Sequence, residues 1–435
     1  MRTVASLLLA VGLALAAPAA AQESPVAFTG AHLIPVSGPE IDDGTVVVHR
    51  GKIVAVGPSA STPVPGTATV VDLTGKVLMP GLVDTHSHIG EPWGADASAP
   101  IQPSVRNADG INVRSSTIQR AQAGGITTAN VMSGSGHLMS GQTTYIKLRD
   151  GGTIDELVYR NDDGTVAGGM KMANGTNSQR DPPFPGTRSK SAALVREQFV
   201  KALEYKRKLE AAGDDASKRP ERDLEMEALV EVLDGKRVVH HHTHRHDDIM
   251  TVLRLQQEFG FKVVLQHASE AYKVAEEVAA AGAPCSVILI DSPGGKIEAV
   301  DMAWETGAIL EAAGVPLAYH TDDFVNDSRL FLRSAALGHR AGLSRAGALR
   351  SVTLSGAEMM GLEDRVGSLE VGKDADLCVL GGDPLSVYAL VEQTWVDGEL
   401  VFDITRPDDR LQAYGGVGAS FGGAAAAHHC LDGHR

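Results

Sequence analysis

The chain has 435 residues and a formal net charge of −15, with 54 acidic and 39 basic side chains. This length can bury a complete barrel and still carry a smaller second domain. The negative charge and the absence of a basic run argue against nucleic acid or an anionic membrane surface as a partner. A small molecule is therefore the expected partner.

The first 21 residues are typical of a secretory signal peptide. Arg2 supplies the charged start, residues 4–17 form an apolar core, and cleavage is expected after Ala21. The apolar run is short for a membrane span, which needs about 20 residues, and no later segment is long enough. The sequence predicts a secreted protein without stable membrane insertion after cleavage, located in the periplasm if the source is a Gram-negative bacterium.

Short β-strands and hairpins are predicted near both ends of the mature chain, within residues 22–78 and 366–405. Because chain termini often lie close together, we expect these segments to form one composite β-sandwich domain that flanks an inserted domain, residues 79–365. Residues 406–435 are expected to be a flexible tail. The histidines near its end leave a metal-binding tail as an alternative.

Between these segments, apolar strand-like runs alternate with amphipathic helical stretches, which is typical of a parallel sheet. Eight strands close a barrel, so the sequence predicts an α/β fold with a (β/α)8 TIM barrel beside the β-sandwich. The candidate strands cover residues 77–84, 127–132, 143–148, 169–173, 237–242, 262–267, 285–290 and 315–321.

Helices are predicted over residues 189–212, 222–233 and 247–259. The first two make the fourth crossover unusually long. That crossover is either a cover on the outer surface of the barrel, which is the favoured hypothesis, or a lid over its mouth. Cys285 and Cys378 lie in apolar runs and are predicted to be buried core residues. With the distant Cys430 they do not describe a disulfide framework.

A histidine pair ends the first predicted barrel strand, where Asp84 precedes His86 and His88. Residues two apart on a strand point to the same side, and barrel enzymes keep their chemistry at the carboxyl ends of the strands. Two imidazoles beside a carboxylate suit a divalent metal such as zinc. Asp84 itself is expected to form hydrogen bonds at the strand end.

The surrounding segment, PGLVDTHSHIG, resembles the first-strand signature of the amidohydrolase superfamily, whose members are metal-dependent hydrolases on a (β/α)8 barrel. VGKDADLCVL and VDGELVF are similar to the closing strands of that family's β-sandwich. The resemblance covers nearly the whole mature chain. It implies one or two divalent metal ions, with zinc as the default. The implied ligands are His86, His88, Lys171, His242, His267 and Asp322.

Lys171 lies between two methionines, where burial disfavours the ammonium form and so favours addition of carbon dioxide. In binuclear members of the family a carboxylated lysine on the fourth strand bridges the two metals, and Lys171 resembles it. Lys147 on the third predicted strand is its rival. Without the carbamate, the site would hold one metal ion.

The resemblance gives Asp322 two roles, metal ligand and catalytic proton carrier. It would take a proton from a water that the metal acidifies and deliver it to the leaving nitrogen. Asp323 is the alternative by one position. His320 is expected to be a hydrogen-bond partner of the ligands.

The fifth predicted strand is crowded with histidines, and alternation places His240, His242 and His244 on one side. The resemblance favours His242 as the ligand, although the register stays open. His244 would contact the substrate or support a ligand, and Arg245 would bind a substrate carboxylate in a bidentate manner.

The leading hypothesis is a secreted metal-dependent amidohydrolase that cleaves a C–N bond in a small amide or dipeptide-like substrate. The segments GMKMANGTN and HTHRHDDI are most similar to imidazolonepropionase-like and prolidase-like members. Deamination and lactone hydrolysis by the same site remain alternatives, as does a non-catalytic periplasmic binding protein on the same scaffold. The sequence does not indicate an oligomeric state.

Overall fold

The structure, a computed structural model, describes residues 24–92, 96–290, 292 and 295–415. The predicted signal peptide and the cysteine and histidines near the C-terminus lie outside these residues. Among the helices of the described part, none is long and apolar enough to cross a membrane.

The secondary structure alternates between strands and helices over most of the chain. The strands are β1 (Val26–Leu33), β2 (Ile41–His49), β3 (Lys52–Pro58), β4 (Thr69–Asp72), β5 (Val77–Pro80), β6 (Leu82–Ser87), β7 (Ile126–Val131), β8 (Met139–Gln142), β9 (Thr144–Lys147), β10 (Met170–Ala173), β11 (Val239–Thr243), β12 (Val263–His267), β13 (Cys285–Val287), β14 (Leu317–Tyr319), β15 (Leu377–Leu380), β16 (Val391–Val396) and β17 (Glu399–Asp403). The helices are α1 (Ser116–Ala123), α2 (Ile154–Leu157), α3 (Arg188–Ala212), α4 (Leu224–Leu233), α5 (His246–Phe259), α6 (Ala275–Ala280), α7 (Thr306–Ala312), α8 (Phe331–Arg340), α9 (Arg345–Ser351), α10 (Leu354–Met360) and α11 (Pro407–Tyr414).

One sheet joins strands from both ends of the chain, in the order β17-β16-β15-β5-β1-β2-β3, with β4 paired to β1. The rings of Phe28 on β1 and Trp395 on β16 lie 5.0 Å apart between centroids. Neighbouring strands are spaced by about 4.8 Å, so a flat sheet would hold strands three places apart much farther from each other. The sheet therefore curls around its own apolar core.

The remaining strands form a TIM-barrel-like arrangement. One row runs β14-β13-β12-β11-β10-β8, and a second runs β6-β7-β9. The five strands from β10 to β14 pair in parallel, as do β6 and β7. At the end of the longer row, the amide of Asp322 donates a hydrogen bond of 2.9 Å to the carbonyl of His86 and ties that row to β6.

The third predicted barrel strand, residues 143–148, runs opposite to the parallel direction that we expected. β9 pairs antiparallel with β7, and β8 pairs antiparallel with β10. Only residues 132–138 separate β7 from β8, whereas a parallel crossover needs a dozen residues or more. The chain therefore turns back at the edge of the sheet where the carboxyl ends of the parallel strands lie, which is called the upper edge. β9 ends at the opposite, lower edge.

The predicted helices are present as α3, α4 and α5. Phe199 of α3 stacks on Phe259 and Phe261, with ring centroids about 5 Å apart. This packing places α3 on the outer face of the strand row and supports a surface cover rather than a lid. Cys285 and Cys378 are buried, as predicted. Residues 407–414, expected to begin a flexible tail, instead form helix α11.

Candidate metal and catalytic site

A cluster of buried histidines, one lysine and one aspartate occupies the carboxyl ends of β6, β10, β11, β12 and β14. His86, His88, Lys171, His242, His267 and Asp322 all belong to it, and His244 and His320 complete it. The six ligands that the sequence predicts therefore lie together, although they come from segments more than two hundred residues apart.

His88 presents one ring nitrogen to the centre of the cluster. Its Nδ1 lies 2.7 Å from the carbonyl oxygen of Met132, which can only accept, so Nδ1 carries the proton. Nε2 is then a bare acceptor, and it lies 2.9 Å from Oδ1 of Asp322. Two acceptors at this distance need a proton or a cation between them, which is the situation expected of two ligands of one metal ion.

Asp322 reaches three histidines from a strained backbone position. Its φ is +49°, which is uncommon for a residue other than glycine. Besides His88, its carboxylate oxygens lie 3.4 Å from Nε2 of His86 and 3.8 Å from Nδ1 of His267. Burial alone would raise the pKa of Asp322, but His88, His320 and Lys171 bring that pKa below its ordinary value. The carboxylate is thus held ionised among the ligands.

Asp323, the alternative proton carrier, faces away from the cluster. Its carboxylate accepts hydrogen bonds from Arg120 Nη2 at 3.2 Å and from the backbone amide of Ser328 at 3.1 Å. Asp84 lies beneath the cluster, and its carboxylate accepts hydrogen bonds from the backbone amides of Thr321 and His86. Burial raises the pKa of Asp84 to about 7, although these hydrogen bonds oppose the shift.

Successive histidines of strand β11 point to opposite faces of the sheet. The ring of His242 lies 4.4 Å from that of His267 and 4.7 Å from that of His244, measured between centroids. His240 points to the interior of the barrel-like arrangement, one layer of side chains below the cluster. His241 points to the outer side, where it lines a cavity of about 440 Å³ between α3 and α5. The alternation therefore selects His242 and His244 at the level of the site.

The turn at the end of β12 brings His267 to the same place. Alternation would send Gln266 and His267 to opposite faces of the strand. His267 instead has a φ of +68°, which turns the chain, and both side chains contact the cluster. Nδ1 of His267 lies 3.2 Å from Nε2 of His320, whose Nδ1 in turn bonds Ser286 Oγ at 2.7 Å.

A chain of buried hydrogen bonds fixes the tautomer of His86. The amide nitrogen of Gln266 donates to Nδ1 of His240 at 3.0 Å, so His240 carries its proton on Nε2, which lies 2.9 Å from the hydroxyl of Tyr145. The carbonyl oxygen of Gln266 then accepts from Nδ1 of His86 at 3.3 Å. Nε2 of His86 is left as an acceptor facing the site. Such orientation by a hydrogen-bonded neighbour is typical of metal-ligating histidines.

The structure separates Lys171 from its rival, Lys147. Nζ of Lys171 lies 3.1 Å from Nε2 of His86 and 3.3 Å from the sulfur of Met132. Nζ of Lys147 instead lies among three carboxylates, those of Asp374, Asp376 and Asp397. The reversed direction of β9 explains this, because it carries Lys147 to the edge of the barrel that faces the curled sheet.

The donor set fits a divalent metal ion. Three groups of side chains each place three ligand atoms within 4.8 Å of one another. The groups are His86 with His267 and His320, His242 with His244 and His267, and His86 with His88 and Asp322. Nε2 of His267 and Nδ1 of His242 are buried without a hydrogen-bond partner among the described residues. Buried imidazole nitrogens without partners are costly unless something else, such as a metal ion, binds them.

Two groups at the site were not anticipated from the sequence. Gln266 lies within the predicted strand of residues 262–267, and its polar side chain just before His267 is a signal that could have identified it. Lys296 lies 2.8 Å from Nε2 of His244 and 3.4 Å from Nε2 of His242. Its position in a glycine-rich segment after β13, at the edge where barrels bind substrates, could have identified it.

Arg245 does not join the cluster. Its guanidinium forms a bidentate pair with Asp247 at the start of α5. His244, its predicted companion, lies within the cluster and bonds Ser269 Oγ through Nδ1 at 2.8 Å.

Residues 77–401 match the profile of the Amidohydrolase family. That match spans well over half of the chain and contains every residue of the cluster. The chain belongs to this family of hydrolases.

The chain is also similar to three individual proteins. A crystal structure of an amidohydrolase from Thermotoga maritima MSB8 is 35% identical, with a TM-score of 0.81 over 87% of this chain and 100% of that one. Amidohydrolase tasK of Hapsidospora irregularis is 31% identical over 85% of this chain, which spans only 41% of that longer protein. Imidazolonepropionase of Sphingopyxis alaskensis is 23% identical over 82% of this chain and 92% of its own length.

Proposed function

We propose that this protein is a secreted, metal-dependent amidohydrolase that hydrolyses the C–N bond of a small amide or dipeptide-like substrate. The observation that carries the proposal is the carboxylate of Asp322, buried among imidazoles and 2.9 Å from Nε2 of His88. This arrangement combines a proton carrier with a set of metal ligands at the end of barrel strands.

His86, His88, Lys171, His242, His267 and Asp322 would hold one or two divalent ions, and the imidazole and carboxylate donors favour zinc. Such an ion polarises a carbonyl and makes water a stronger acid. The protein's own contribution is proton transfer. Asp322, kept ionised by its neighbours, accepts a proton from water and passes it to the leaving nitrogen, since an amine departs readily only when protonated.

Lys171 is proposed to be carboxylated, and in that form it would help to hold two ions. The position supports this, because Lys171 is fully buried and its Nζ lies 3.1 Å from His86 Nε2. The proposal further includes a closed eight-stranded barrel, the composite domain of residues 22–78 and 366–405, and removal of residues 1–21 on export. N-terminal sequencing of protein from the extracellular or periplasmic fraction would test the last point, since an intact Met1 would contradict it.

Amine release from dipeptides and N-acyl amino acids, by metal-loaded protein, tests the reaction. We expect Asp322→Asn to lower kcat by about 100-fold or more, because general acid–base catalysis contributes roughly 10²–10⁴-fold. Asp323→Asn is the matched control, since Asp323 pairs with Arg120 outside the cluster, and it should retain the wild-type pH profile and KM. If the protein leaves the whole panel intact but deaminates a purine or opens a lactone, the amide substrate is wrong.

A further inference from the structure

A cavity of about 440 Å³ lies on the outer side of the strand row, between α3 and α5. Its volume falls within the range of roughly 300–1,000 Å³ that is typical of small-molecule sites. Two ion pairs bridge the helices beside it, Arg188 with Asp248 at 2.9 Å and Arg196 with Glu258 at 2.6 Å. The two walls of the cavity are therefore fixed by the fold, and strand β11 separates it from the candidate metal site.

The ring of His241 faces this cavity and presents an acceptor to it. The residue is only 1% exposed, and its Nδ1 donates a hydrogen bond of 3.0 Å to the carbonyl oxygen of His242. Because Nδ1 carries the proton of the ring, Nε2 is a bare acceptor on the side of the cavity. A buried acceptor costs free energy unless a donor reaches it, so a ligand with an N–H or O–H group is favoured here.

Other polar groups of the lining also offer lone pairs rather than hydrogens. Their own hydroxyl hydrogens are committed to backbone carbonyls, since Ser191 donates to Thr187 at 3.0 Å and Thr251 donates to Asp247 at 3.1 Å. Oδ1 of Asn174 is buried without a hydrogen-bond partner among the described residues. The lining thus presents several acceptors, which suit an ammonium group because it carries three donors and no acceptor.

Donors and apolar surface occupy the rest of the lining. Arg254 is exposed at the rim, and its hydrogen bond of 2.8 Å to Thr251 uses one of the five N–H donors of a guanidinium. Its other donors can bind a carboxylate. Leu138, Val195 and Leu255 are buried and form apolar walls. The cavity therefore combines acceptors for an ammonium group, donors for a carboxylate and a surface for an apolar side chain.

We infer that this cavity binds an α-amino acid with an apolar side chain, at a site separate from the metal centre. The ammonium group donates to Nε2 of His241, the carboxylate accepts from Arg254, and the side chain packs on the apolar walls. Such a zwitterion brings no net charge, which suits a lining whose other two arginines already pair with carboxylates. The site lies outside the hydrolytic centre and does not depend on the proposed hydrolysis.

Binding of L-leucine to metal-loaded protein, measured by calorimetry, tests the inference. 3-Methylbutylamine lacks only the carboxylate of leucine, and 4-methylpentanoic acid lacks only its ammonium group. Ala192→Trp fills the cavity, because Ala192 lines it, and Ala193→Trp is the matched control at the next, exposed position of α3. Asp322→Asn reports on any leucine that binds at the metal centre instead. Circular dichroism and metal analysis verify the folding of each variant.

We expect L-leucine to bind the wild type at least about 10-fold more tightly than either partial analogue. His241→Phe should weaken binding of L-leucine by about 10- to 100-fold, the range for loss of a charged hydrogen bond, and should change the binding of 4-methylpentanoic acid little. Arg254→Met should weaken binding of L-leucine but not of 3-methylbutylamine. Ala192→Trp should abolish binding, whereas Ala193→Trp and Asp322→Asn should bind leucine as the wild type does.

Equal affinity of the wild type for leucine and both analogues would overturn the inference, as would the absence of any heat of binding. Binding that is kept in Ala192→Trp but lost in Asp322→Asn would place the amino acid at the metal centre and would overturn it as well. If leucine binds in the cavity but no amide is hydrolysed, the inference stands and the proposed amide hydrolysis fails.

Discussion

At the scale of single residues, the site depends on which ring nitrogen of each histidine carries a proton. The carbonyl of Met132 fixes His88, and Gln266 fixes His86, so that both present Nε2 to the cluster. Lys171 faces the same acceptor of His86. The residue types were readable from the sequence. The tautomers were not, because they depend on neighbours from other strands.

A labelling experiment tests the role of Lys171. We expect protein equilibrated with ¹³C-bicarbonate and metal to show one carbamate carbon signal by NMR, which Lys171→Met lacks and Lys147→Met keeps. Lys171→Met should also lose metal affinity by more than about 100-fold, since it removes a ligand where loss of a supporting residue costs 10- to 100-fold. A carbamate signal that survives in Lys171→Met would show that another lysine is modified.

At the scale of elements, the reversed direction of β8 and β9 determines where the side chain of Lys147 lies. Because β9 runs antiparallel to β7, Lys147 lies opposite Thr128 at the lower edge of the barrel-like arrangement, away from the candidate metal ligands at the upper edge. There Nζ lies 2.6 Å from Asp374, with Asp376 and Asp397 also in contact. The strand thus joins the barrel-like part of the molecule to the sheet formed by the two ends.

Removal of this buried charge should destabilise the protein without affecting the metal site. We expect Lys147→Met to lower the free energy of unfolding by about 3–5 kcal/mol, because it leaves the buried Asp376 without the cation that it pairs with. Denaturant unfolding would measure the loss, and metal analysis of the folded fraction should match wild type. Metal loss in this variant, with unchanged unfolding, would contradict the separation of the two lysines.

At the scale of the whole molecule, the buried imidazoles make stability depend on pH. Burial lowers the pKa of His241 to about 4 and that of His240 to about 3, against an ordinary value of 6.5. The unfolded chain therefore binds more protons than the folded chain below pH 6.5. Stability is complete above that pH and falls as the pH drops toward 4, because the folded state resists protonation.

His241→Phe isolates one such group, since its side chain lies on the outer face of β11. Between pH 6.5 and 4, metal-free wild type should lose roughly 3 kcal/mol through His241 alone, as one pKa unit corresponds to about 1.4 kcal/mol. We expect the slope of unfolding free energy against pH to fall by about one proton in the variant. Parallel slopes for the two proteins would show that His241 binds its proton equally well in the folded and the unfolded chain, which would contradict the lowered pKa.

The sequence by itself determined the strand-and-helix alternation, the histidine-bearing strand ends and the six candidate ligands, because apolar periodicity and strand-end position are local properties. Helix α5 and the buried Cys285 and Cys378 followed from the same patterns. The tertiary structure decided the direction of β8–β9, which separates Lys171 from Lys147, and it placed Asp322 rather than Asp323 among the histidines. It also placed Gln266 and Lys296 at the histidines. These features depend on contacts between distant segments and on the left-handed turns at His267 and Asp322, which a local pattern does not encode.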